Sequence, residues 1–332
     1  MPREESDTET PLAILVAILL VAVLAISSSA VLILWADAPA VSVTFWRTLG
    51  GAVILAPAAM RSVRRSRSNG NHPRGDRPTR RQWLIIACSG IALGIHFATW
   101  LSSLELTSVA ASVTLVATAP IFIALWLLAT GRPPGRATWL AIGLAIAGTA
   151  VITIGDASDG DAVARTGADA ADNPLLGDGL ALIGAATMAV YLLLGDRLRA
   201  TLSTAAYASR TYGFAAVSVL VFALASGTEL TGFDTRTWLA IGAMVLGPQL
   251  AGHTALNYLL RRLGSVSVSL ALLVEPVGAA VLVWLVFAEI PPVTAIVGAP
   301  LVLAAVGLQI LIRAGGTDRL TDRSEPQNPA GV

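Results

Sequence analysis

Lysine is absent from this 332-residue chain, so all 22 basic residues are arginines, and charged residues make up only 13% of it. An ordinary soluble domain contains roughly 25% charged residues. Hydrophobic residues account for 55% of the chain, and a soluble fold of this composition is expected to aggregate. The net charge of +1 gives no electrostatic basis for binding nucleic acid. The composition therefore predicts a protein that resides in the lipid bilayer.

Cysteine is almost as scarce, since Cys88 is the single one and lies within an apolar block. This excludes an internal disulfide and a cysteine-based metal cage, and it predicts a buried structural thiol. No histidine has a second ligand at helical spacing, and no phosphate-binding loop occurs. We therefore predict no metal, no cofactor and no ATP-driven pump on this chain.

The apolar residues form blocks of about 19 to 25, long enough to cross a ~30 Å hydrocarbon core as helices. Helices follow because a helix satisfies its own backbone polar groups in lipid. We predict an all-α integral membrane protein with ten transmembrane helices. The predicted spans are 11–35, 38–60, 82–103, 107–129, 137–155, 175–195, 204–226, 238–259, 266–288 and 292–312.

The arginines are distributed unevenly between the connecting segments. The N-terminal segment 1–10 carries four acids and one arginine, unlike a secretory signal. If it is cytoplasmic, 18 of the 22 arginines lie on the inner side, eight of them in the loop 61–81, and the outer loops hold only Arg165 and Arg236. This bias predicts a multi-pass protein of the cell membrane with both termini in the cytoplasm. The C-terminal tail is 313–332.

An internal repeat relates residues 11–155 to residues 175–312, which are joined by the acidic outer linker 156–174. Matching residues recur in the same order at offsets of 155 to 163. An odd number of spans in each unit would place the two halves in opposite orientations, which is a recurring transporter architecture. The aligned pairs are Arg47 (RTLGGA) with Arg210 (RTYGFA), Trp83 with Trp238, His96 with His253, Pro120 with Pro276, Pro133 with Pro291 and Pro134 with Pro292.

These residues resemble the drug/metabolite transporter superfamily, specifically its EamA-type members with two five-helix repeats. The resemblance covers residues 11–312 and rests on the Phe45-Trp46-Arg47 run, the proline of span 4, the VEPVGAA run from Val274 and Glu289. Gly131 and Arg132 stand where the first repeat commonly has a glutamate. The resemblance implies export of metabolites or drugs without naming a substrate.

Strong charges within the predicted spans are costly and therefore suggest a use. Arg47, near the middle of span 2, is either an anion clamp for a carboxylate or phosphate, or a structural partner of Glu275 or of helix-end carbonyls. Arg210 is close enough to the inner end of span 7 for its side chain to reach the surface. Glu275 precedes Pro276, which kinks the span and leaves carbonyls unpaired, so this pair either couples and gates transport or is structural.

The other candidate residues are aromatic or neutral. His96 and His253 either relay protons or form structural hydrogen bonds. Trp46 and Trp100 could stack on a substrate, and Asn257, Tyr258, Tyr191 and Gln249 could hydrogen-bond to it or join helices. The predicted substrate site comprises Arg47, Trp46, His96, Trp100, Arg210, His253, Asn257 and Tyr258, with Glu275 and Pro276 as coupling or gating residues.

Together these features predict a secondary transporter that exports small organic metabolites, such as amino acids or related organic ions, by alternating access. Its partners would be a small-molecule substrate and the lipid bilayer, with a homodimer left open. A drug or lipid exporter is the alternative within the same class. An intramembrane enzyme acting on lipid or polyprenyl substrates is the alternative from another class, but the chain has no HExxH, GxSxG or acidic-pair motif, so we predict no enzyme.

Overall fold

A computed structural model describes residues 11–68, 78–107, 109–158, 173–199, 201–288, 290 and 293–322. Their regular secondary structure is helical. The elements are α1 (Leu12–Trp35), α2 (Ala40–Ser68), α3 (Arg80–Leu106), α4 (Val109–Val116), α5 (Ala119–Ala129), α6 (Arg136–Ser158), α7 (Pro174–Arg199), α8 (Thr204–Ser226), α9 (Thr235–Met244), a π-helical segment (Val245–His253), α10 (Thr254–Leu272), α11 (Glu275–Phe287) and α12 (Val293–Asp322).

Within these residues, eight helical stretches are long and apolar enough to cross a membrane. Two shorter apolar helices, Arg136–Ile152 and Glu275–Val286, accompany them. The long stretches are Leu12–Ile33, Ala40–Arg64, Arg80–Ser103, Ala111–Ala129, Pro174–Arg199, Thr204–Ser226, Thr235–Leu272 and Val293–Ile312. The structure thus shows an all-helical multi-pass membrane protein.

Two of the predicted spans are interrupted. The predicted continuous helix over 107–129 is divided into α4 and α5, and the one over 266–288 is divided between α10 and α11. In each case a proline, Pro120 or Pro276, occupies one of the first two positions of the second helix. Proline lacks the N–H that would continue the hydrogen-bond ladder and disfavours helical geometry in the preceding residue. Each break therefore lies within an apolar stretch rather than in a loop.

A second departure occurs between α9 and α11. The chain runs without a break through α9, the π-helical segment and the first part of α10, and then turns sharply at Gly264. Gly264 has a φ of 74°, in the left-handed region that glycine adopts without steric cost. This turn separates predicted spans 8 and 9 without a loop, so both lie within the single apolar stretch Thr235–Leu272.

The helix ends also differ from the predicted span ends. Helix α2 continues to Ser68, α3 already begins at Arg80, and α12 continues to Asp322, into the predicted tail. Polar residues at these ends extend the helices beyond the apolar stretch that hydropathy detects. Glu289, Pro291 and Pro292 lie outside the described residues, as do positions 69–77 of the basic loop and 159–172 of the acidic linker.

The packing joins the N-terminal half of the chain to the C-terminal half. Helix α2 packs along α8, α6 along α12, and α3 against both α7 and α8, while α1 contacts the π-helical segment and α11. Small residues allow the closest approach. A Cβ atom on Gly148 of α6 would lie 2.8 Å from the Gly298 carbonyl oxygen of α12, and a Cβ on Gly298 would meet the Gly148 carbonyl in return. Such reciprocal glycines let helix backbones touch within a membrane.

The surface of the bundle is apolar, as expected for a protein in lipid. Leu84, Leu140 and Leu239 are largely exposed. Cys88 is also exposed, so the prediction of a buried thiol is wrong. The burial habit of cysteine comes from proteins in water, whereas here an apolar thiol is equally stable on the lipid-facing side of α3.

Candidate functional site

Helix α2, helix α3 and the π-helical segment bring polar and aromatic side chains together inside the bundle. The Nε–H of Arg47 donates a 3.1 Å hydrogen bond to Oε1 of Gln249. The Arg47 guanidinium lies over the Phe97 ring, with its Cζ 5.2 Å from the ring centroid, in a cation–π contact. Phe97 also makes a T-shaped contact with the His253 ring, with 6.0 Å between centroids. We call Arg47, His96, Phe97, Gln249 and His253 the central cluster.

Arg47 is the charged member of this cluster and is only 6% exposed. Among the described residues, its Nη2 atom has no hydrogen-bond partner. A buried N–H without an acceptor is costly, more so on a charged group. Glu275 lies close enough for its charge to interact with that of Arg47, but the described hydrogen bond of Arg47 goes to an amide. The guanidinium therefore keeps one buried N–H edge without an acceptor among the described residues.

His96 is held in one orientation. Its Nδ1 lies 2.9 Å from the Gly184 carbonyl oxygen of α7, and because a carbonyl only accepts, Nδ1 carries the proton. The ring stacks on Trp100 with an interplanar angle of 11°. Within the described part of the chain, the Trp100 indole Nε1 makes no hydrogen bond. The His96 and Trp100 rings are thus nearly parallel, and the adjacent Phe97 ring is tilted by 50° to His96.

Glu275 begins α11 directly after the break that precedes Pro276. Its carbonyl oxygen accepts a 3.1 Å hydrogen bond from the Ser27 hydroxyl of α1. A carboxylate in the first turn is favoured by the helix dipole, whose positive end lies there. The break therefore places an acidic group and a helix N-terminus within the bundle, at electrostatic range of Arg47.

Asn257 lies in a hydrogen-bond network that stays within the protein. Its Oδ1 accepts from the Tyr191 hydroxyl at 2.8 Å, and its Nδ2 donates to the Tyr212 hydroxyl at 3.1 Å. Tyr212 in turn lies 3.2 Å from Thr254 Oγ1. The side chain of Asn257 is fully buried and its described bonds join α7, α8 and α10. This geometry suits a residue that positions the cluster.

Three predicted site residues lie apart from the central cluster. The Arg210 guanidinium stacks over Trp83 at the start of α3, 5.4 Å from the ring centroid. Tyr258 lies under the guanidinium of Arg262. Trp46 donates from Nε1 to the Leu230 carbonyl oxygen at 2.6 Å and packs edge-on against Trp238. The sequence repeat aligned Arg47 with Arg210, yet in the described structure Arg47 belongs to the central cluster and Arg210 lies over Trp83.

Phe97 and Tyr212 were missed as site residues, and Gln249 was considered only as a helix-joining or hydrogen-bonding group. Phe97 directly follows His96 in the chain, but adjacency does not show that its ring contacts both Arg47 and His253. A signal for Gln249 does exist in the sequence. Trp83 and His96 are 13 residues apart, whereas the aligned Trp238 and His253 are 15 apart, and the extra residues coincide with the π-helical segment.

A cavity of about 560 Å³ opens where α1 meets α2 and α8 meets α9. Asp37, Glu229 and Asp234 contribute carboxyl groups to its lining. The Asp234 carboxylate caps α9 by accepting from the Thr237 backbone N–H at 2.8 Å. Hydrogen bonding to Thr237 lowers the pKa of the Asp234 carboxyl below its usual value of 3.8. The cavity is an acidic mouth near Trp46, distinct from the central cluster.

The apolar surface, the helical stretches and the buried polar cluster define an integral membrane protein with a polar site among its helices. The EamA-like transporter family matches the chain over residues 11–154 and 175–311. The chain therefore belongs to this family and is a membrane transporter of the drug/metabolite type, and the resemblance seen in the sequence is confirmed.

Two further comparisons bear on the fold. No curated protein sequence matches the chain significantly. A solved structure described as "Crystal structure of protein" aligns with a TM-score of 0.68 at 18% identity, covering 91% of this chain and 99% of that one. At this identity the likeness shows a shared fold and nothing about substrate.

Proposed function

We propose that this protein is a secondary transporter that moves small organic metabolites out of the cell by alternating access, with the central cluster as its substrate site. The observation that carries the proposal is the buried Arg47 guanidinium, whose Nη2 edge has no acceptor among the described residues. A carboxylate bound there would complete the hydrogen bonding of the guanidinium in a low-dielectric interior.

The surroundings of Arg47 favour α-amino acids or related organic ions. A substrate carboxylate would bind Arg47, and a substrate ammonium group would be attracted to Glu275, which faces the same region. Phe97, His96 and Trp100 supply flat apolar surfaces for the remainder of the molecule. A few polar groups within a mostly apolar lining are typical of small-molecule sites.

The remaining predicted residues take supporting roles in this proposal. His253 borders the site through Phe97, and Trp46 lies toward the acidic mouth. Asn257 positions the π-helical segment and α10, whereas Arg210 and Tyr258 stabilise helix packing farther away. Glu275 and Pro276 mark the break at which α11 could change its angle during gating.

We further propose ten spans arranged as two inverted five-helix repeats. The contacts of α2 with α8 and of α6 with α12 each join helices that the repeat aligns. The reciprocal glycines Gly148 and Gly298 lie on one of these pairs. The breaks before Pro120 and Pro276 also occupy aligned positions. Two related halves around one site offer two arrangements of similar energy, open to either side of the membrane.

The proposal is tested by efflux from proteoliposomes loaded with a mixed pool of labelled amino acids and central metabolites, at two internal pH values. We expect Arg47→Ala to abolish efflux of the transported anionic compounds while lowering the yield of folded protein much less. Equal loss of efflux and folded yield would make Arg47 a structural residue. If nothing leaves liposomes that contain folded wild-type protein, the metabolite-transporter proposal is wrong.

A further inference from the structure

We propose that Gln249 is a positioning residue that sets which anions Arg47 can bind, and that the π-helical segment exists to bring its amide to Arg47. This inference rests on the proposed function, in which Arg47 receives a substrate anion. It adds that Gln249, on the π-helical segment, fixes the direction of the unpartnered Arg47 Nη2 group.

Gln249 and Phe97 restrict the orientation of the Arg47 guanidinium. Gln249 is fully buried, and its Oε1 accepts the Nε–H of Arg47 at 3.1 Å. A guanidinium is a rigid planar fork, so fixing the Nε–H direction also fixes the directions of the terminal N–H groups. With Phe97 beneath the plane, the guanidinium is held both in its plane and at its edge. The unpartnered Nη2 atom therefore points in a set direction rather than sampling several.

The π-helical backbone determines where the Gln249 side chain lies. In the π-helical segment the Thr254 N–H donates to the Gln249 carbonyl five residues earlier, and the Thr254 hydroxyl donates to the same oxygen at 3.1 Å. A π-helical turn holds more residues than an α-helical turn, and such turns are frequent at functional sites. The two extra residues between Trp238 and His253 are accommodated here. The wider turn therefore presents Gln249 without displacing His253 from the bundle interior.

The π-helical segment packs closely against α2. A Cβ atom on Gly50 would lie 2.7 Å from Cγ2 of Val245, and a Cβ on Gly51 would lie 2.7 Å from Cγ of Gln249. The two glycines of the RTLGGA motif therefore make room for the π-helical segment. On the other side, a Cβ atom on Gly252 would collide with Ile26 of α1. The segment is held between two helices by positions without side chains.

The interface of α8 with α3, which the repeat aligns with that of α2 with the π-helical segment, is built differently. There the RTYGFA motif places Phe214 where α2 has Gly51, and Phe214 packs closely on Gly90 of α3. A bulky side chain on α8 and a glycine on α3 replace the glycine and glutamine of the first interface. Arg210 consequently lies over Trp83. The site is thus one-sided although the two halves are related in sequence.

The test uses full-length Gln249→Leu and Gln249→Glu in the same proteoliposomes and the same labelled pool. Gln249→Leu should raise the half-saturating concentration of each Arg47-dependent compound about tenfold, the factor that corresponds to a lost hydrogen bond to a charged group, with the maximal rate nearly unchanged. Gln249→Glu should abolish efflux of the same compounds, because the new carboxylate occupies the guanidinium. Neither change should affect any compound of the pool whose efflux survives Arg47→Ala.

The matched control is Gln309→Leu, because Gln309 is another buried glutamine and its Nε2 is bonded to Ser267, away from the cluster. We expect it to leave half-saturation unchanged, and folded yield is measured for every variant by size-exclusion chromatography. Loss of efflux in Arg47→Ala with unchanged half-saturation in Gln249→Leu would overturn the positioning role alone. An equal effect of Gln249→Leu on compounds whose efflux does not require Arg47 would also overturn it. Unchanged efflux in Arg47→Ala would instead remove the proposed function.

Discussion

A guanidinium in the interior of a membrane protein must be matched by partners, and Arg47 is matched only in part. Gln249 holds its Nε–H and Phe97 covers its face, while Nη2 keeps a free edge among the described residues. Arg199 shows the contrast. It is similarly buried, but it donates to the Asn257 and Leu202 carbonyls and to Thr204 Oγ1. Burial alone therefore does not distinguish Arg47 from Arg199, whereas the unpartnered Nη2 atom of Arg47 does.

The role of Glu275 can be tested through the pH dependence of efflux. If its carboxyl carries a coupled proton, Glu275→Gln should make efflux independent of pH, because an amide cannot release a proton. The measurement is the pH profile of efflux for the wild type and the variant at matched protein content. Among the described residues, the other charged or titratable groups near Glu275 and Arg47 include His96, Tyr212 and His253, so His253→Asn serves as a comparison. An unchanged profile in Glu275→Gln would contradict a coupling role.

At the scale of elements, helix boundaries follow from local chemistry where a single side chain caps the helix. Asp234 caps α9 and Thr79 caps α3, the latter together with Gln82 in a reciprocal capping box. Other features depend on neighbouring helices. The π-helical segment packs against Gly50 and Gly51 of α2. After the turn at Gly264, the Ser265 N–H donates a 3.2 Å hydrogen bond to the Asp196 carboxylate of α7.

The α9 cap leads to a prediction about pH. Because the pKa of Asp234 is lowered in the folded protein, its contribution to stability is present above the usual value of 3.8 and is lost as the pH falls through the lower folded value. Asp234→Ala should therefore lower the thermal midpoint at pH 7, and the difference from wild type should shrink below pH 3.8. Asp234→Asn, which keeps a capping oxygen, should lose less. A difference that is constant with pH would contradict the cap.

A matched pair of glycines tests the α2 interface. Gly50 and Gly213 occupy the same position in the two repeat motifs, but a Cβ atom would meet Val245 at the first and nothing within 4 Å at the second. Gly50→Ala should destabilise the folded protein by about 1–3 kcal/mol through overpacking. Gly213→Ala should be neutral or should stabilise the helix by up to about 1 kcal/mol. Thermal unfolding in detergent measures both, and equal effects would show that the interface does not discriminate between them.

At the scale of the whole molecule, the two halves of the chain pack extensively against each other and do not form separate bundles. The pairs α2 with α8 and α6 with α12 cross between the halves, and so do the contacts of α1 and α3. A site formed between such halves contains residues from both, as Arg47 and Gln249 illustrate. Alternating access would then require these shared interfaces to slide or rock.

The proposed orientation leads to a prediction about labelling. In a Cys88→Ser background, Thr231→Cys lies in the α8–α9 connection and Gly135→Cys in the α5–α6 connection, both exposed. With both termini in the cytoplasm, a membrane-impermeant thiol reagent should label position 231 in intact cells and position 135 only after permeabilisation. The reverse pattern would invert the orientation, and labelling of both in intact cells would contradict the span arrangement.

The class of protein was determined by the sequence alone, because hydropathy over about 20 residues is a local property that decides whether a segment enters lipid. The pairing of Arg47 with Arg210 and of His96 with His253 was also visible there, along with the family. Only the tertiary structure decided that Arg47 contacts Gln249, 202 residues away, and that Cys88 faces outward. Such contacts depend on the rotation and approach of neighbouring helices. The π-helical segment illustrates this, because it packs against two glycines of α2 and brings the Gln249 amide to Arg47.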